Sequence, residues 1–300
     1  MARHAILEQI DWLHGRPYDV EELPGGLTNV NLKVTFDGRA VVVRVAQPGG
    51  ELLAVDHRNE HLNSLAAAAA GVGAPVVDYL PEAGLMIVGY VEGRTFTDDD
   101  LRDSTQLSRV AAACRQLHLG PRFVNDFDMF AVQSGYLQVV LERGFRVPDR
   151  YQDFQPQVER IRAAFAVRPQ PTVPCNNDLL AGNFIDDGSK LWLIDYEYAG
   201  NNDACFELGN IWSEADLSLD QLDELMAAYD GTLLRHRVAR ARLWGLMAKY
   251  GWTLWGSIQH SVSEFDFDFW TWAKEKYDRA VAEFDGADFE RLLEEVTRSD

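Results

Sequence analysis

Polar and apolar residues alternate through Asn29-Val30-Asn31-Leu32-Lys33-Val34, the period of a strand with one face buried. Residues 40–45 form a mostly β-branched run interrupted by Arg44, and residues 74–79 and 85–90 complete an antiparallel sheet. From about residue 51 the pattern turns helical, passes through the alanine run 66–70 and stops at Gly71 and Pro75. Residues 97–119 have helical periodicity, with Thr97 as N-cap and Arg115 and His118 near the C-terminal end. Helices are also expected at 133–143 and 155–165, with 119–126 irregular and 146–154 a loop. The apolar run 191–194 reads as a buried strand ending on Asp195. Beyond it the chain is helical near 206–214, 219–229, 234–260, 268–284 and 288–297. The pattern predicts an α+β protein. Residues 1–92 carry a five-stranded sheet and one helix, residues 93–300 are mostly helical, and the passage 86–93 is the hinge.

Composition narrows this reading without redirecting it. With 47% hydrophobic and 25% charged residues over 300 positions, the chain can bury a large core and is globular rather than disordered. Residues 1–13 are amphipathic and charged rather than a signal peptide, and no apolar run approaches the ~18 residues of a membrane span. Cys114, Cys175 and Cys205 are odd in number, far apart and without CxxC spacing, which argues for a reducing cytoplasm and against a disulfide or zinc framework. A net charge of −19 argues against a nucleic-acid partner and raises the local concentration of cations, Mg²⁺ and amines included.

The chemistry concentrates in residues 174–184 and 191–198. An acid, an amide five residues later and a second acid ending a strand suit phosphoryl transfer. One carboxylate can orient and deprotonate a hydroxyl while the amide and the other carboxylate hold Mg²⁺ against a nucleotide. Gly25 and Gly26 with Thr28, Asn29 and Asn31 form a turn able to lay backbone N–H groups over phosphates, although a plain β-turn fits the same residues. Arg44 inside an apolar strand needs a partner. Glu60 in the following helix is the candidate, either as a structural ion pair or as the phosphate-positioning pair of a kinase. Tyr90 lies where the hinge would expose backbone groups to an adenine. Glu207 and Glu214 fall on one helical face seven residues apart. Trp244, Phe265 and Trp270 are read as core, and His118 as packed or capping. Trp252, Trp255, Phe267 and Trp272 could instead box a cationic group, with Glu214 as its counter-charge.

The order and spacing of these segments resemble the choline/ethanolamine kinase family, within the aminoglycoside-phosphotransferase and protein-kinase-like fold. The resemblance implies a two-lobed molecule that phosphorylates the hydroxyl of a small cationic amino alcohol, choline foremost, using ATP and Mg²⁺. It makes Asp178 the base, Asn183 and Asp195 metal ligands, Glu197 their support, and Arg44 with Glu60 the phosphate-positioning pair. Glu214, Trp252, Trp255, Phe267 and Trp272 fall where that family surrounds the ammonium head. Where the family's catalytic loop begins His-x-Asp, this chain has Asn176, which can make the bracing hydrogen bonds but cannot become cationic. The alternatives are a kinase of the same fold acting on aminoglycosides, thiamine or an amino sugar, and a pseudokinase that binds nucleotide or amine without turnover.

Overall fold

The computed structural model describes residues 6–47 and 50–299, so the first five residues of the amphipathic segment 1–13 lie outside the described residues. Strands β1 (Asp19–Leu23), β2 (Asn29–Phe36), β3 (Arg39–Ala46), β4 (Val76–Leu80) and β5 (Leu85–Gly89) form an antiparallel sheet in the order β1-β2-β3-β5-β4. Its inward positions, among them Leu32, Val34, Val43, Leu85 and Ile87, pack with Leu7, Ile10 and Leu13 into a cluster of their own. Register places Asn31 opposite Arg44, so the polar positions of β2 and β3 share one end of the sheet.

The helix expected from residue 51 is two pieces. A 3-10 turn at Gly50–Leu53 is followed by α1 (His57–Ala69), because Ala54 takes a left-handed φ of 57° and Asp56 caps α1 through the Arg58 and Asn59 N–H groups. The stretch 97–119 is also divided. Thr97 and Asp100 make a capping box for α2 (Asp98–Arg102), and Asp103 ends that helix in extended backbone. Its carboxylate then caps α3 (Ser104–His118) at Thr105 N–H. Apolar spacing shows the helical face but not such a one-residue restart. Helices α4 (Met129–Arg143) and α5 (Gln155–Val167) follow, with Tyr151 and Phe154 of the intervening loop buried in the core.

Short strands then bring the chemistry-bearing loops together. β6 (Arg94–Thr95), β8 (Phe184–Asp186) and β9 (Leu191–Leu193) form one sheet, while β7 (Thr172–Cys175) pairs with β10 (Gly200–Asp203). The rest is α6 (Ala204–Glu214), α7 (Leu219–Asp230), α8 (Arg235–Val262), α9 (Phe269–Phe284) and α10 (Asp288–Glu295). Helix α8 is buried around most of its circumference because α4, α6 and α9 all pack on it. Gly209 of α6 and Gly245 of α8 allow that contact. A Cβ on Gly209 would stand 2.1 Å from the Ala241 carbonyl oxygen. Trp244 is core as expected, packed on Phe130, Phe165 and Phe206. Trp270 is not core: Arg146 lies 3.7 Å over its half-buried ring.

Candidate active site

The loop 176–183 is held from below by an acid. Glu207 is fully buried near the start of α6 and accepts from the backbone N–H groups of Asn176 (3.0 Å) and Asn177 (2.6 Å). Asn177 can then take a left-handed φ of 68°, since its side chain also donates to the Cys175, Tyr198 and Gly200 carbonyls. His118 packs beside this acid, its Nε2 3.4 Å from Glu207 and its Nδ1 2.7 Å from the Tyr229 hydroxyl. That is the packed role its sequence context suggests.

Asn176 makes the bonds that tie the two loops. Its Nδ2 donates to the carbonyls of Ile194 (3.1 Å) and Asp195 (2.7 Å), and its Oδ1 accepts from Asp178 N–H at 3.1 Å. Asn183 Nδ2 donates to the Asp178 carbonyl at 2.7 Å, and Ile194 N–H donates to the Asn183 carbonyl at 3.0 Å. Asn183 is thus bonded to Asp178, and Asp195 is linked to Asp178 through Asn176. Asp195 itself has a left-handed φ of 63°.

Arg44 gathers the acids from across the cleft. Its Nη2 lies 2.8 Å from Asp195, 3.0 Å from Glu60 and 3.9 Å from Glu197. Burial opposes the charge of Arg44, but these carboxylates outweigh it and hold its pKa above the usual value. The glycine turn closes onto the same cluster: Thr28 Oγ1 donates to Glu197 at 2.9 Å and Asn29 Nδ2 donates to it at 2.7 Å. Gly25 has φ of 103°, and a Cβ on Gly26 would stand 2.3 Å from the Asn29 carbonyl oxygen, so this turn requires both glycines. Asn31 Oδ1 is buried with no hydrogen-bond partner among the described residues. Tyr90 stands apart from the group. Its N–H is spent on the Ala40 carbonyl at 3.2 Å, and its ring lies under Lys33 Nζ at 3.9 Å.

The carboxylates repel one another. Burial raises the Asp178 pKa well above normal, and Asp195, Glu197 and Glu214 push it further while Lys276 opposes them. Burial also raises Glu197, to about 8, with Asp195 adding to the rise and Arg44 countering it. A hard divalent cation suits such an oxygen-rich, mutually repelling set, and the amide and carboxylate of Asn183 and Asp195 are donors of the type Mg²⁺ takes. A cavity of about 170 Å³ opens beside the glycine turn, with Leu27, Thr28, Asn29, His57, Glu197 and Phe265 in its lining. Phe265 packs against the core as expected and also lines this cavity.

The aromatic residues form a chain through Tyr198, whose hydroxyl lies within electrostatic range of Asp178. Trp252 (4% exposed) meets Tyr198 edge-on at 5.1 Å, and Trp255 (7% exposed) donates to the Tyr198 hydroxyl at 2.8 Å. Trp255 meets Trp272 at 5.3 Å. Phe267 is 41% exposed and joins only through Phe269, 4.9 Å away, so the four rings do not converge on one point. Glu214 is buried near this chain and bound by Lys276, 2.6 Å from both carboxylate oxygens. Sequence reasoning left Glu207 without a role and passed over Lys276 altogether. The seven-residue spacing of the two glutamates was the only signal for the first. Lys276 sits in Lys274-Glu275-Lys276, which has the composition of a solvated helix face.

A β-sheet lobe with one strand arginine paired to a helix glutamate, set over a helical lobe carrying two acid-bearing loops, defines a protein-kinase-like phosphotransferase. A choline/ethanolamine kinase family protein from Mesorhizobium loti has the same fold. Its crystal structure is 30% identical in sequence and superposes with a TM-score of 0.85, covering 99% of this chain and 98% of that one. The sequence profile of the choline/ethanolamine kinase family matches residues 20–230, and the chain belongs to that family. Among its relatives, protein LicA of Haemophilus influenzae is 27% identical over 289 residues, 91% of this chain and 79% of LicA. A probable ethanolamine kinase of Arabidopsis thaliana is 25% identical over 296 residues, 84% of this chain and 76% of that protein. The protein is therefore a kinase of small-molecule alcohols. No helix of the described residues is long and apolar enough to cross a membrane.

Proposed function

We propose that the protein transfers the γ-phosphoryl group of ATP to the primary hydroxyl of a small cationic amino alcohol, choline foremost. The observation that carries this reading is the placement of Asp178. Its backbone carbonyl accepts from Asn183 Nδ2, and its carboxyl lies within electrostatic range of Asp195, Glu197 and Glu214, which together with desolvation raise its affinity for a proton. In that position Asp178 orients the acceptor hydroxyl and takes its proton as the P–O bond to the nucleotide breaks in line. Asn183 and Asp195 would hold Mg²⁺, supported by Glu197, and the ion supplies charge neutralisation of the phosphates. The turn through Gly25, Gly26, Thr28, Asn29 and Asn31 covers the nucleotide, and Arg44 with Glu60 positions its phosphates. Tyr90 at the hinge would face the adenine, with its N–H already bonded to the Ala40 carbonyl. The rate comes from positioning and a fixed electrostatic field, with no covalent intermediate.

Trp252, Trp255 and Trp272 supply faces and edges suited to an onium head, and Phe267 stands at the exposed rim. Indoles favour choline over a polyamino sugar, whose many N–H donors call for an open acidic surface. Measuring ADP release with choline, ethanolamine, thiamine and an aminoglycoside in the presence of Mg²⁺ and ATP tests the reading. Turnover of choline or ethanolamine is expected. Turnover of the aminoglycoside alone would overturn the acceptor class, and ATP binding without turnover of any acceptor would make the protein a pseudokinase.

A further inference from the structure

Glu214 closes α6 and Lys276 lies two turns into α9, and both side chains are more than nine-tenths buried. Lys276 Nζ is 2.6 Å from each oxygen of Glu214 and 4.3 Å from the centroid of Trp272, whose ring leans on Trp255. An ammonium gripped by a carboxylate and covered by an indole is the environment that an amine's head group seeks. Here the chain fills it with its own ammonium. Both charges reach Asp178, where Glu214 raises the carboxyl's pKa and Lys276 lowers it, so the pair lies within electrostatic range of the proposed base.

We infer that Lys276 is a built-in occupant of the acceptor's ammonium subsite, a residue that the incoming amino alcohol must displace from Glu214. This rests on the acceptor class proposed above. The displacement has a chemical consequence. Lys276 gives Glu214 two short N–H···O bonds, and a primary ammonium can replace them in kind. A quaternary ammonium has no N–H and offers only its charge and its contact with the rings. Vacating Glu214 costs the same for either amine, so the resident lysine weakens the binding of both, and the choice between them rests on what each offers Glu214 and the rings in return. Without it, Glu214 would wait as a buried carboxylate lacking a cation, which the fold tolerates poorly.

The test is calorimetric titration of tetramethylammonium chloride, at constant ionic strength, into the wild type, Lys276→Met, Glu214→Gln and the double variant. Lys276→Met should bind the probe about tenfold more tightly than the wild type. The gain should vanish in the double variant, and the probe should raise the Tm of Lys276→Met more than that of the wild type. In turnover assays the KM of Lys276→Met for choline and for ethanolamine should both fall. Equal or weaker probe binding by folded Lys276→Met, or a gain that survives Glu214→Gln, would overturn the inference. If Lys276→Met does not fold, Lys276→Leu, which likewise offers Glu214 no donor and no charge, carries the same comparison. The two readings fail differently. Absence of any amine turnover by the wild type removes the proposed acceptor, whereas choline turnover with unimproved probe binding removes only the role of Lys276.

Discussion

Asp178 is a residue whose local energetics oppose its proposed use. It is buried among Asp195, Glu197 and Glu214, each of which disfavours its charge. Asp178→Asn should therefore leave Tm unchanged or raise it, while lowering kcat by at least about a hundredfold with little change in ATP affinity. A variant that keeps most of its rate would refute the base. Asn176 makes the complementary case. Its amide makes two bonds to the Asp195 loop and one within its own, so Asn176→Ala should lower kcat about tenfold or more through misplacement of Asp178 and Asp195. An unchanged kcat would show that Glu207 alone suffices to hold the loop. The residues of this site differ in how far their sequence discloses them. Asp178, Asn183 and Asp195 stand out in the sequence because those groups in that order suit phosphoryl transfer, and the Arg44–Glu60 pair expected from it is present. Glu207 and Lys276 do not stand out, because their meaning lies in what they touch across helices, and period alone does not supply the partner.

At the scale of elements, the expected sheet and helices are present, and the departures occur where a side chain overrides the apolar period. Asp56 and Asp103 each restart a helix inside a stretch that reads as continuous. The crossing of α6 and α8 is equally hidden in the pattern, yet it sets where Glu207, Glu214, Trp252 and Trp255 stand. Gly209→Ala forces a methyl against the rigid Ala241 carbonyl, so a loss of about 1–3 kcal/mol in denaturant unfolding is expected. Stability equal to the wild type would mean that the helices slide apart freely. At the start of α1, His57 Nδ1 lies 3.0 Å from Glu60 Oε2, and this bond raises the imidazole pKa above 6.5. A folded-state value above the unfolded one means the stabilisation is complete below about pH 6.5 and is lost as pH climbs through the folded value. The Tm difference between wild type and His57→Gln should thus be wider at about pH 5.5 than at about pH 8.5. A difference independent of pH would show that the pair does not carry a proton.

For the whole molecule, two kinds of charge must be separated. The chain carries 47 acidic and 28 basic side chains, an excess of 19 negative charges spread largely over its surface. Such an excess repels itself through solvent, where the Debye length shrinks from roughly 30 Å at ~0.01 M salt to about 8 Å at ~0.15 M. Sodium chloride should therefore raise the Tm of the wild type over that range. The cluster around Arg44 obeys a different rule, because its side chain is 11% exposed and Glu60 and Glu197 are 4% and 6% exposed. Solvent ions do not reach between those groups. Arg44 also joins the sheet to α1 and to the Asp195 loop, so its loss is felt by both lobes at once. Arg44→Met would leave three acids facing one another without their cation, a defect of about 3–5 kcal/mol for a buried pair broken on one side. Added salt should lift the Tm of wild type and Arg44→Met in parallel, leaving the gap between them open. A gap that closes by ~0.3 M salt would place the Arg44 cluster with the screened surface charges and remove it as the tie between the lobes.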